Sequence, residues 1–402
     1  MNKLKSMLLG AVALAAVAAP AAAQTNVKIG VLSDMSSLYA DLGGAGSVLA
    51  ARMAVEDFGA AAKGLRVEFV SADHQNRPDV GSNIARQWYD RDGVDVIVDV
   101  PNSGVALAVN GVTREKNKVF LVSGAATSAL TGEQCSPNTI HWTYDTWALA
   151  NGTGRAIVQQ GGDTWFFMTA DYAFGHQLEA DTSNVVRQLG GRVVGGVRTP
   201  LNAPDFSSFL LQAQSSRAKI IGLANAGGDT INSIKQAGEF GIVRRGQSLA
   251  GLLIFITDIH GLGLETAQGL IFTNAFYWDK NDGTRAFAQR FQAANRGIRP
   301  TMVHAGVYSA VTHYLKAVEA ARSTADGKAI VDRMKATPTA DALFGEGSIR
   351  ADGRKIHDMY LYEVKKPSES RGAWDYYKLR ATIPAAQAFR PIAEGNCPLT
   401  RG

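Results

Sequence analysis

The chain has 402 residues, 46% of them hydrophobic and 19% charged, and a formal net charge of +5. That length is too great for one ordinary core and suits two lobes. The basic residues are scattered without a basic tract, which argues against nucleic acid as a partner. Only 8% of residues are aromatic, a composition that suits helices packed tightly on sheets.

Residues 1–23 read as a secretory signal: Lys3 and Lys5 are the positive start, Met7 to Ala19 the apolar stretch, and Ala21–Ala23 a small-residue cleavage site before Gln24. A membrane anchor is the alternative, but the apolar core is short for one. No cysteine in or just after the signal offers a lipid attachment point. No later segment reaches the roughly 20 continuous apolar residues of a membrane span. The mature protein is therefore expected to be a soluble exported protein, cleaved near Ala23.

Val27 to Leu32 reads as a buried strand, Ser33 to Gly46 as a polar glycine-rich turn, and Ala50 to Phe58 as an amphipathic helix. A strand, a small-residue turn and a helix open a parallel α/β sheet, with the turn at the carboxyl end of the strand, where ligands sit in open sheets. Strands at Arg66–Ser71, Val94–Val100 and Lys118–Ser123 alternate with helices at Asp79–Asp90 and Val105–Lys116. Near Trp142–Thr146 the rhythm restarts. Helices at Trp147–Gln160, Gln177–Leu189, Phe206–Gln214 and Thr230–Phe240 alternate with strands at Asp163–Met168, Gly191–Arg198 and Lys219–Leu223, and Leu249–Phe255 and Gly269–Asn274 complete a second sheet. Thr284–Arg296, Val303–Arg322 and Lys328–Lys335 read as helices, and Met359–Val364 with Trp374–Leu379 as an antiparallel pair. The fold class is α/β, two Rossmann-like lobes with parallel-sheet cores. No Pro- or Ser-rich linker separates them, so the chain crosses between lobes more than once and a ligand sits in the cleft.

Cys135 and Cys397 are the only cysteines. In an oxidising compartment an even pair suggests a disulfide, closing a loop of roughly 260 residues and contributing about 5 kcal/mol. Two separate free thiols are the alternative. Two distant cysteines without a histidine cluster do not make a metal site.

Catalytic signatures are absent. Gly43, Gly44 and Gly46 lack G-x-G-x-x-G spacing, and there is no phosphate loop, no G-x-S-x-G elbow and no H-E-x-x-H among the seven histidines. No cofactor and no enzymatic activity are expected. The loops after the strands instead hold small neutral groups. Asn102 and Ser103, and then Ala125, Ala126, Thr127 and Ser128, offer hydroxyls and backbone N–H groups. They stand beside the starts of two helices, near Gly104 and Ser128, and two such ends suit a carboxylate. Ordinary capping explains Ser103 and Thr127 equally well. Tyr39, Tyr172 and Phe174, with Trp142 and Tyr144, lie in loops outside core periodicity, where they would wall an organic ligand or pack the loop. Asp34, Asp171, Asp229 and Asp258 stand at strand ends.

On Lys28–Ser36 with Gly43 beyond it, on Ser123–Leu130, Asp171–Gly175, Lys235–Gly241 and Ala267–Thr273, the chain resembles the periplasmic branched-chain amino-acid-binding family of ABC-importer solute receptors, over nearly all of its mature length. The resemblance implies a type I periplasmic-binding fold in a periplasmic monomer. Its first lobe would comprise 24–146 plus 277–355 and its second 147–276 plus 356–402. It implies that Ser103, Ala125 and Thr127 hold the ligand carboxylate and ammonium, and that Phe174 stands where amino-acid binders often carry tyrosine. Ala226 falls on or near another pocket tyrosine, and Asp258 is the substitute for an amine-accepting glutamate. With the carboxylate half intact and the amine half changed, the expected ligand is a small organic carboxylate, aromatic or amino-acid-like, delivered to a membrane permease. A strict branched-chain amino-acid receptor and a sensory receptor of the same fold are the alternatives.

Overall fold

A computed structural model describes residues 24–401, so the signal read in residues 1–23 lies outside the described residues. Five parallel strands form the first sheet: β1 (Thr25–Ser33), β2 (Leu65–Asp73), β3 (Val96–Asp99), β4 (Val119–Val122) and β5 (Thr139–His141). Their order is β2-β1-β3-β4-β5. A second parallel sheet contains β6 (Thr164–Ala170), β7 (Arg192–Thr199), β8 (Ile220–Ala224) and β9 (Ser248–Gly251), in the order β7-β6-β8-β9. Every residue of β3, β4 and β8 is buried, as expected of parallel strands covered by helices on both faces. Each sheet reverses its winding after its first strand, between β1 and β3 and between β6 and β8. Loops diverge at such switch points and leave a crevice at the strands' carboxyl ends.

The first helix begins at Gly44 and runs to Phe58, so the glycine-rich stretch is the helix start and not a free turn. Gly43 has no side chain to cap it. Ser33, the last residue of β1, does so from outside, its Oγ accepting the Gly44 N–H at 2.9 Å. The long helix Met302–Ala321 packs against Gly44–Phe58. Thr301 Oγ1 donates to the Leu42 carbonyl at 2.7 Å, and the His304 ring is bonded to the Gly43 carbonyl at 2.9 Å. A segment late in the chain thus completes the first lobe.

Three separate stretches of the chain lie side by side. The Arg354 guanidinium donates to the Tyr144 carbonyl at 3.0 Å, and the His357 ring is bonded to the Thr143 carbonyl at 2.9 Å. Lys280 Nζ reaches the Tyr360 hydroxyl at 2.8 Å.

Four further expected elements differ. The strand expected over Leu249–Phe255 ends at Gly251. Leu252 to Phe255 stay buried in a loop, and an apolar run alone does not separate a strand from a buried loop. The strand β10 (Ile271–Asn274) does not complete the second sheet. After β11 (Thr339–Asp341), β12 (Gly345–Ile349) and β13 (Lys355–Ile356), which form a small sheet of their own, β10 pairs antiparallel with β14 (Met359–Val364). The partner of β14 on its other side, β15, spans Tyr377–Ile383 and not Trp374–Leu379. Trp374 has a φ of 72° and stacks on His260, ring centroids 4.0 Å apart, which takes it out of the strand. The second helix start expected near Ser128 is a single 3-10 turn, Ser128–Thr131.

Cys135 and Cys397 form a disulfide. It anchors a tail that lies against the first lobe, where Arg390 donates to the Ser128 carbonyl at 3.0 Å.

Candidate functional site

The crevices of the two sheets face each other. The loop after β1 is shaped by Asp34, which accepts the Ser37 and Tyr39 N–H groups at 2.9 and 2.8 Å and the Asn76 amide at 2.6 Å. Burial works to raise its pKa, but these donors together hold the carboxyl below its ordinary value. The loop so fixed carries Tyr39 into the cleft. Tyr172, after β6, meets it from the other lobe, and the two hydroxyl oxygens are 2.6 Å apart.

Around this pair lies a small cavity of about 10 Å³, room for about one water. Tyr39, Leu42, Gly124, Ala126 and Tyr144 contribute from the first lobe, and Tyr172, Phe174, Ala226, Leu253 and Phe255 from the second. Tyr172 and Phe174 pack with centroids 5.8 Å apart, and Phe255 meets Tyr144 edge-on at 6.3 Å. The Tyr144 hydroxyl donates to the Gly124 carbonyl at 2.5 Å. Desolvation raises the pKa of Tyr39, Tyr144 and Tyr172 above the ordinary phenol range, so all three hydroxyls stay protonated. Among the described residues no Asp, Glu, Lys or Arg lines the cavity.

Of the residues singled out from the sequence, Tyr39, Ala126, Tyr144, Tyr172, Phe174 and Ala226 come together on the lining. Asn102, Ser103, Ala125 and Thr127 stand behind it, bonded within the protein. Asn102 Oδ1 caps the helix Ser103–Glu115 by accepting the Val105 N–H, and Ser103 Oγ accepts the Thr127 N–H at 3.2 Å. Thr127 Oγ1 accepts the Ala129 N–H, and the Ala125 carbonyl is bonded to the His141 ring at 2.7 Å. Asp258 is off the lining. Its carboxylate accepts the Phe255 N–H at 2.9 Å at the start of the helix Ile256–Leu262, and burial pushes its pKa up to about 7.

Leu42, Pro101, Gly124, Leu253 and Phe255 line the cavity without having been singled out. Phe255 was hidden inside an apolar run that reads as strand, whereas Tyr144 carried a signal as an aromatic outside core periodicity.

At the loop Ala226–Gly228 the second lobe touches the first directly. Gly227 has φ 57° and ψ −131°, and a Cβ there would lie 2.6 Å from the Leu38 carbonyl oxygen. Only glycine fits both demands.

Among the described residues no cluster of three or more His, Cys, Asp or Glu side chains is placed to hold a metal ion, and no helix is long and apolar enough to cross a membrane.

Residues 26–372 match the family model described as periplasmic binding protein. A solved periplasmic binding protein from Burkholderia mallei is 53% identical, covers 94% of this chain and 100% of its own, and superposes with a TM-score of 0.91. A branched chain amino acid ABC transporter periplasmic ligand-binding protein from Burkholderia xenovorans LB400 is 43% identical, with 93% and 99% covered and a TM-score of 0.82. A Leu/Ile/Val-binding protein homolog from Brucella melitensis biotype 1 is 25% identical over 91% of this chain and 94% of its own.

Proposed function

The chain belongs to the periplasmic binding protein family, and on that premise we propose that it captures a small organic acid, aromatic in its preferred form, for an ABC-transporter permease. The family is one of binding proteins, not of enzymes, and its place is the periplasm. The observation that carries the choice of ligand is the lining itself, rings and small neutral residues from both lobes without an ionised side chain. A flat apolar body suits such walls. An α-ammonium would enter without a countercharge, an expensive arrangement in a buried site.

The ring would lodge between Tyr39, Tyr172, Phe174 and Ala226, which must move apart to admit it. The carboxylate points to the small-residue loop Ala125–Thr127, braced by Ser103 and Asn102, where protonated tyrosine hydroxyls and backbone groups are the donors. Asp258 supports Phe255 and is not itself a ligand contact. The lobes divide near residues 146, 276 and 355 and close about these passages. A solute that contacts both lobes favours the closed form by its differential affinity for it. Export with cleavage near Ala23 completes the reading, and N-terminal sequencing of the mature protein checks it, a start far from Gln24 counting against it.

Calorimetry against benzoate, 4-hydroxybenzoate, leucine, isoleucine and valine tests the ligand. Binding of the ring acids in preference to the amino acids is expected. Tight leucine binding with no response to ring acids would overturn the proposal and favour the second reading, a branched-chain amino-acid receptor, which the name of the 43% identical relative supports.

A further inference from the structure

We infer that the C-terminal tail is a strap across the hinge, tying the second lobe to the first and resisting their opening; this rests on the lobe division and the capture mechanism proposed above. The tail leaves β15 at Ile383, which pairs with Met359 in the sheet that β14 shares with β10. From there its contacts change lobe in chain order. Ile383 packs on the second lobe at Gly152, where a Cβ would stand 2.9 Å from the Ile383 Cδ1. Asp358 accepts the Ala385 N–H at 2.8 Å, and the Asn151 amide donates to the Gln387 carbonyl at 3.0 Å.

Phe389 stands at the crossing itself. Its ring is buried, with the Arg354 guanidinium 4.5 Å from its centroid and the His357 ring edge-on at 5.3 Å. Arg354 and His357 are in turn bonded to the Tyr144 and Thr143 carbonyls. The next residue, Arg390, is already on the first lobe. Its guanidinium donates to the Ser128 carbonyl at 3.0 Å, and its own carbonyl accepts Arg350 at 2.7 Å. The tail lies flush on the loop after β4, where a Cβ on Gly132 would be 2.8 Å from both the Arg390 guanidinium and the Gly395 carbonyl oxygen. Cys397, fully buried, then closes the disulfide to Cys135.

Chain ends are ordinarily loose unless tied down, and a tail that only sealed apolar surface would need one lobe. This one is held on both while the cleft is closed by Tyr39 and Tyr172. Moving the lobes apart separates Asn151 from Ser128, so opening must break the bond at one end of the tail or peel Phe389 from Arg354. The disulfide makes each re-docking intramolecular, and a broken contact re-forms at high effective concentration. The docking point is itself where the lobes meet. Asp181, on the second-lobe helix Ala173–Gln188, accepts the Ser128 hydroxyl at 3.0 Å, and Ala126 on the same loop lines the cavity.

A protease recognition sequence inserted within residues 391–394, which are exposed, lets the strap be cut after the mature protein has folded. The last segment then stays on Cys135 through the disulfide. Small-angle scattering of the ligand-free protein and stopped-flow dissociation of benzoate compare the cut and uncut forms. Cutting is expected to raise the mean radius and to weaken benzoate binding about three- to tenfold, as the closed population falls. Arg390→Ala, left uncut, should move both readouts in the same direction by a smaller step. A cut form that matches the uncut one in radius and dissociation would overturn the strap, whatever its melting temperature, and so would a cut form that is more closed. Failure of benzoate to bind either form would count against ring-acid capture, and the ligand-free radius alone would then decide the strap.

Discussion

Replacing Tyr172 by phenylalanine removes one oxygen from the interlobe hydroxyl pair and leaves both rings in place. The two oxygens are 2.6 Å apart in the closed cleft, and opening the lobes necessarily separates them. A neutral hydrogen bond of this kind contributes about 1 kcal/mol net, so the closed form should lose roughly fivefold against the open one. When only the closed form binds tightly, the apparent Kd rises with the fall in its population and by no larger factor. Calorimetry should show about fivefold weaker binding for Y172F, and small-angle scattering of the ligand-free protein a larger mean radius. Y39F should behave similarly, and the double variant no worse than the worse single one, because both remove the same bond. Unchanged affinity and shape in both single variants would refute the latch. A loss beyond about 100-fold would refute it differently, by showing that the hydroxyl holds the solute itself.

Gly227→Ala should hinder closure, since a Cβ would press on the Leu38 carbonyl and the backbone is in a glycine-only region. Strain of about 1–3 kcal/mol predicts at least several-fold weaker binding and a more open scattering profile, and wild-type affinity would contradict it. Cys135→Ser with Cys397→Ser opens a link across 262 residues of sequence. It should lower stability by up to about 5 kcal/mol in denaturant titrations, with faster proteolysis of the tail beyond residue 384. Asp258→Asn tests the buried carboxyl, which desolvation holds at a pKa of about 7 against about 3.9 in an unfolded chain. Because the folded pKa is the higher one, this group's contribution is complete below about pH 4 and is lost as pH rises to 7. The variant should therefore show a flatter fall in stability from pH 4 to 7, the difference on the order of 4 kcal/mol at most. An identical slope in both proteins would refute the assignment.

The strand–loop–helix rhythm of both lobes was readable from the chain because parallel strands buried on both faces leave continuous apolar runs, such as Val119–Val122 and Ile220–Ala224. Tyr39, Tyr172 and Phe174 stood out for a related reason, as large aromatics where no core periodicity called for them. The same logic failed at Leu252–Phe255, where an apolar run is a buried loop, and at Ile271–Asn274, whose partner lies far along the chain at Met359–Val364. Pairing between such distant segments leaves no mark in local periodicity.

The sequence by itself determined the α/β class, the pair of cysteines available for bonding, the absence of catalytic motifs and the loops that reach the cleft. All of these follow from local spacing and residue chemistry. Only the tertiary structure decided which loop residues face one another. It turned Ser103 and Thr127 toward each other, placed Asp258 under Phe255 and brought Tyr39 to Tyr172. Those relations depend on how two sheets, built from separate stretches of chain, are held across a cleft, and distances between lobes are not encoded at any one position.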